Sequence, residues 1–191
     1  TLANLNENNN AYTITISDTS IDASALNTLD GKTTATINAA AVTILSGSAS
    51  ALNTSYSSSG ISGLGNEAIL VNSGTSSVSL ANNLSAATSG VVSATLSDGD
   101  MATLANLNEN NNAYTITISD TSVDASALNI LDGKTTVTTN AAAVTTLSGS
   151  ASDLNTAYSS SGISGLGNEA VTLTDTTLAA SLLNTLDKNT T

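Results

Sequence analysis

The chain contains no cysteine, proline, histidine, arginine, glutamine, phenylalanine or tryptophan. Each absence closes off some chemistry. Without cysteine there are neither disulfides nor thiolate reactions. Without histidine and cysteine the commonest general base and the most reactive nucleophile are missing. Two carboxylates could still act as acid and base, as in glycoside hydrolysis, but nothing in the sequence marks out such a pair, and no catalytic activity is expected. The only aromatic residues are Tyr12, Tyr56, Tyr114 and Tyr158. The core is therefore expected to consist of Leu, Ile, Val and Ala, without the aromatic anchors that bury most surface per residue. A thin, regular core repeated many times can do without them.

Charge is also scarce. Charged residues make up 9% of the chain, against roughly 25% in an average soluble domain, so Ser, Thr and Asn must supply most of the polar surface. The net charge is −12, and Lys32, Lys134 and Lys188 are the only cations. A chain without a basic patch has no means of displacing counterions from nucleic acid and no attraction to an anionic membrane surface. No apolar run approaches the ~18 residues of a membrane span, so direct membrane insertion is not expected. Acidic composition with few aromatics can signal disorder, but 40% of the residues are hydrophobic and they fall in ordered patterns.

Chief among those patterns is a long repeat. Thr1 aligns with Thr103, an offset of 103 − 1 = 102, and TLANLNENNNAYTITISDTS recurs letter for letter. Up to Ala68 the copies differ at Ile21/Val123, Thr28/Ile130, Ala35/Val137, Ile37/Thr139, Ile44/Thr146, Ala51/Asp153 and Ser55/Ala157. Self-similarity on this scale signals stacked structural repeats. Residues 1–102 and 103–191 read as two continuous long repeats. Both ends fall inside a repeat, which reads as an excerpt from a longer array. Strands are expected to begin near Thr13, Ala35, Ala68 and Val92, then near Thr115, Val137 and Ala170. Four strands per 102 residues give coils of about 25 residues, within the ~20–45 of known repeat proteins. The stretch SSSGISGLGN at 57–66 and 159–168 reads as an insertion before the third strand.

One coil is written out at residues 12–30, YTITISDTSIDASALNTLD, which recurs at 114–132 and, altered, as VTLTDTTLAASLLNTLD at 171–187. Ile14 and Ile16 alternate with Thr13, Thr15 and Ser17, the period of a half-buried strand. A corner follows at 17–20, rich in residues whose side chains bond nearby backbone. Asp22 suits a helix N-cap, with Ile21 and Leu26 at the spacing of a hydrophobic staple. Asp124 repeats the cap, whereas Ala179 lacks it. Leu26 and Leu29 share one helical face, as do Leu128 and Leu131, Leu183 and Leu186, and Leu104 and Leu107. Gly31 suits a left-handed helix stop. The expected fold is an α/β, right-handed solenoid of parallel strands with short helices, about four coils per 102-residue repeat. The alternative is an all-β solenoid.

Three motifs point to possible sites. Gly60, Gly63 and Gly65 suggest a phosphate loop, but the spacing is wrong and no cation accompanies them, so a flexible corner is expected. Aspartates recur at fixed coil positions. Stacking could gather Asp18, Asp22, Asp98, Asp100, Asp120 and Asp124 into a Ca²⁺ site, an ion that takes ~6–8 oxygens; capping and corner chemistry explains each of them singly. The pairs Thr13/Thr15, Thr34/Thr36 and Thr136/Thr138 could form a flat threonine array of the ice-binding kind, interrupted by Leu70 where the second copy has Thr172.

The phrases SALNTLDGKTT (24–34), SGISGLGNEAV (161–171) and TLAASLLNTLDKNTT (177–191) resemble repeat blocks of very large secreted or cell-surface proteins of cyanobacteria and other aquatic bacteria. The resemblance spans essentially the whole chain. It implies an extracellular location, a structural surface, filament or adhesive role, and a much longer parent. The corresponding expectations are self-association, head to tail or lateral, in a non-catalytic structural segment. The alternative is an adhesin-type module that binds surface glycans or is stabilised by calcium.

Overall fold

The structure is a computed structural model in which residues 5–6 and 9–190 are described. The chain falls into two compact units, Thr1–Thr95 and Leu96–Thr191.

The first unit contains β1 (Ser20–Asp22), α1 (Ala23–Asp30), β2 (Ile37–Asn38), β3 (Ile44–Ser48), α2 (Ala49–Ser57), β4 (Ile61–Ser62), β5 (Ala68–Ser73), α3 (Val78–Ala87) and β6 (Val92–Thr95). Strands β1, β3, β5 and β6 pair in that order, all parallel. Ser20 lies opposite Ile44 and Ile44 opposite Ala68. Each step is 24 residues (44 − 20 and 68 − 44), shortening to 23 where Ile69 faces Val92. A second parallel ladder joins β2 to β4, with Ile37 opposite Ile61, and is extended by Thr15 opposite Asn38. Helices α1, α2 and α3 pack against the strands of the first ladder.

The second unit contains α4 (Met101–Leu104), β7 (Ala113–Thr115), β8 (Ser122–Asp124), α5 (Ala125–Asp132), β9 (Thr139–Asn140), β10 (Thr146–Gly149), α6 (Ala151–Ser159), β11 (Ile163–Ser164), β12 (Ala170–Leu173) and α7 (Ala180–Asp187). Strands β8, β10 and β12 pair in parallel with the same 24-residue steps, Ser122 to Thr146 to Ala170. The second ladder joins β9 to β11, with Thr117 opposite Asn140. The fold is therefore mixed α/β with small parallel sheets, and no sheet closes into a barrel among the described residues.

Helices form where local chemistry allows them. Asp22 accepts from the Ser24 and Ala25 amides, and Asp124 from those of Ser126 and Ala127. Ser48, Ser77, Asp100 and Ser150 cap α2, α3, α4 and α6 in the same way. Ala179 begins α7 with no side-chain cap. Each helix has at most 10 residues, too short to be stable alone in water, so packing must hold it. Leu26, Leu52, Leu84, Leu128 and Leu154 supply that packing, all fully buried. Neighbouring helices are also tied by amide rungs. Asn27 Nδ2 donates to the Ala51 carbonyl at 2.9 Å, Asn129 to Asp153 at 3.0 Å and Asn155 to Leu182 at 3.2 Å.

Several expectations are corrected. Residues 13–17 alternate as read, with Ile14 and Ile16 buried, but form only one bridge of the second ladder. The strand entering the helix is β1, inside and just beyond the supposed corner. The string at 171–187 repeats residues 12–30 in letters but not in placement, because β12 pairs with β10 in the other ladder. Gly31 has φ −66°, not a left-handed value, because its amide continues the helix by bonding the Asn27 carbonyl. The core is not wholly aliphatic, since Tyr114 is fully buried.

Candidate functional site

The most organised chemistry lies at two matched corners. Gly65 and Gly167 have φ of +130° and +136°, a region only glycine enters readily. This turns the Gly65 and Asn66 amides inward as an anion-binding nest. The anion is internal. Glu67, fully buried, accepts from Gly65 N at 2.9 Å and Asn66 N at 3.1 Å. Tyr56 Oη donates to its other oxygen, and its backbone carbonyl accepts from Thr88 Oγ1 at 2.6 Å. In the second unit Glu169 accepts from Gly167 N at 2.9 Å and from Tyr158 Oη at 3.0 Å. A buried carboxylate is tolerable only when paired or hydrogen-bonded in this way. Burial first, and then the bond to glutamate and its negative charge, push both tyrosine hydroxyls well above their ordinary pKa. The glycine-rich stretch is thus a hydrogen-bonded corner closed by its own glutamate, not a flexible one. Glu67 and Glu169 were not among the expected site residues. The readable signal was Gly-x-Gly-Asn-Glu, two glycines placing amides just before a lone acid.

A second corner pairs turns of the chain. Ser58 Oγ donates to Asp30 Oδ2 at 2.6 Å, and Ser160 Oγ to Asp132 at 2.6 Å. Gly60 is required there because a Cβ would lie 2.0 Å from Asp30 Oδ1.

The six aspartates considered for calcium are used differently. Asp22, Asp100 and Asp124 cap helices. Hydrogen bonds from Thr103 hold the Asp100 carboxyl below its ordinary range, and those from Ser126 and Ala127 do the same for Asp124. Asp120 accepts from the Met101 amide at 2.6 Å, which brings it to the same one-turn helix that Asp100 caps. Asp18 is exposed and Asp98 half-buried. No group of three or more acidic side chains able to hold a metal occurs among the described residues.

The threonine pairs are exposed, but they do not stack as a uniform array. Thr15 lies opposite Asn38, and Asn38 opposite Ser62. Leu70 and Thr172 belong to the other ladder.

The second unit also carries an apolar pocket of about 220 Å³ between α4 and α5. No helix among the described residues is long and apolar enough to cross a membrane. No protein-family model, curated protein or solved structure matches the chain.

Proposed function

We propose that the chain is a structural repeat segment of an extracellular surface, filament or coat protein, without catalysis. In this reading each unit is a stretch of right-handed solenoid, about four coils per 102-residue repeat, and residues 1–102 and 103–191 form a continuous series. The observation that carries it is the recurrence of 24-residue parallel steps in both units, with the same corner locks at matched positions. Chemistry of this kind holds a coil in shape: Glu67 sits under its own loop, Asp22, Asp100 and Asp124 cap helices, and Asp30 and Asp132 tie neighbouring turns. The partners are further copies of the chain, meeting head to tail or side by side through a surface of Ser, Thr and Asn that carries little charge. Electron microscopy of the native material tests the proposal. Filaments, sheets or a regular coat are expected; dispersed globular particles would overturn it.

A further inference from the structure

The hollow between α4 and α5 has the chemistry of a small-molecule site. Helix α4 has a single turn where α5 has eight residues. Ala127, Ile130, Leu131 and Lys134 line the hollow from one side, at the i, i+3, i+4 and i+7 spacing of a single helix face. Lys134 joins that face because the chain keeps a helical turn past α5, with the Lys134 amide donating to the Leu131 carbonyl at 2.9 Å. Met101 and Leu104 line the hollow from α4. Leu104 and Leu131 are buried, whereas Ile130 is 64% exposed. Packing does not require an isoleucine there. Thr28 holds the matched position of the other copy, in a helix of the same length with the same aspartate cap.

Lys134 is the only charged group in the lining. It is half-buried, and its Nζ donates to the Asn108 carbonyl at 3.4 Å. An ammonium has three donors, and a bond of that length is weak, so most of its capacity is left for a stronger acceptor.

We infer that this hollow binds a small fatty-acid-like monocarboxylate, its alkyl body against Met101, Leu104 and Ile130 and its carboxylate on Lys134. Size sets the body. An apolar cavity of about 150 Å³ holds benzene, so one of about 220 Å³ holds an alkyl chain of roughly eight carbons. Met101, unbranched and polarizable, adapts to such a chain. Charge sets the head. The chain has three lysines and a net charge of −12, so nearly all of its surface repels an anion, and this apolar hollow carries a cation at its edge. A single lysine is a compact point charge that suits a monoanion, whereas a dianion would meet more of the surrounding repulsion for the same one partner. Ligand binding here is independent of the structural role proposed above.

Isothermal titration calorimetry of the intact chain with octanoate, at neutral pH and low salt, tests it. Saturable one-to-one binding is expected, with a Kd of about 1 mM or tighter for a ligand of this size. Ile130→Thr, which installs the residue of the other copy, should weaken binding by about tenfold. Lys134→Met keeps the apolar stem and removes the charge; it should also weaken binding by about tenfold. Added salt should weaken binding to the unaltered chain and have little effect on Lys134→Met. Circular dichroism confirms that each variant is folded. No saturation up to about 10 mM octanoate overturns the site, as does binding that Ile130→Thr leaves unchanged. Binding that Ile130→Thr weakens but Lys134→Met does not overturns the carboxylate as the recognised head.

Discussion

Replacing Ala157 by serine is expected to stabilise the second unit by about 1 kcal/mol. The first unit supplies the reasoning. Ser55 Oγ donates to Asn27 Oδ1 at 2.7 Å and lies 3.2 Å from the Ala51 carbonyl, so both ends of the Asn27 amide are satisfied. In the second unit Asn129 keeps its bond to the Asp153 carbonyl. Ala157 stands where Ser55 stood, and Asn129 Oδ1 is buried with no hydrogen-bond partner. A buried acceptor left unpaired costs about 1–3 kcal/mol. Serine at 157 would supply the donor, against a loss of up to about 0.7 kcal/mol in helix propensity relative to alanine. Both sites are 1% exposed, and the Ser55 site shows that this packing accepts a hydroxyl. A gain of 1 kcal/mol corresponds to about 2–4 °C in melting temperature for a chain of this size. Calorimetry of Ala157→Ser, the converse Ser55→Ala, and Ala157→Ser combined with Asn129→Ala would measure it. The gain should vanish in the Asn129→Ala background, because the new hydroxyl then has no acceptor to serve. An unchanged or lower melting temperature for Ala157→Ser would refute the reasoning, above all if Ser55→Ala were also neutral.

Three further outcomes are expected. Thr139 is fully buried with its hydroxyl unpaired where the first copy has Ile37, so Thr139→Ile should raise stability by about 1–3 kcal/mol in a urea titration. Ala179→Asp, which installs the cap that Asp22 and Asp124 provide, should stabilise α7 by about 0.5–1 kcal/mol and slow amide exchange in its first turn. The folded state holds the Tyr56 and Tyr158 protons more tightly than the unfolded chain. Their contribution is therefore complete below about pH 10 and is lost as pH rises beyond it; Tyr56→Phe with Tyr158→Phe should flatten that alkaline decline in melting temperature while lowering stability at neutral pH.

Much of the local structure was legible in the sequence. Ile14 and Ile16, the caps at Asp22 and Asp124, the missing cap at Ala179 and the Leu26/Leu29 pair all depend on residues within one turn of each other. What was not legible depends on turns 24 residues apart. Gly31 has the composition of a left-handed stop, yet its amide reaches back to Asn27 and the helix simply runs out. Helix α2 was readable by comparison, because ASALNT at 49–54 repeats 23–28 and both strings are helical. Glu67 was hidden for a different reason. A lone acid beside glycines is ordinary loop composition until Tyr56 and Thr88, from other elements, close over it. The aspartates illustrate the converse: regular spacing in sequence did not gather them, because the paired strands bring together residues about 24 apart while Asp22, Asp100 and Asp124 are held by amides of their own helices and Asp30 and Asp132 by a serine of the next turn.

The constant step between paired strands also bears on how the chain acquires its order. Each pairing closes a loop of about 24 residues wherever it occurs, so the closure entropy is nearly the same for every turn, roughly 3 kcal/mol plus a constant. No pairing within a unit has to wait for a distant segment. If the chain is the repeat segment proposed above, folding can start at any of these pairings and proceed in either direction, and the step that holds Asn129, whose amide oxygen is unpaired, is where it would pause. The same arithmetic sets which changes in length are tolerated: removal of a whole 24-residue step leaves the register of the remaining strands intact, whereas loss of a single residue from a strand turns its buried side chains toward solvent.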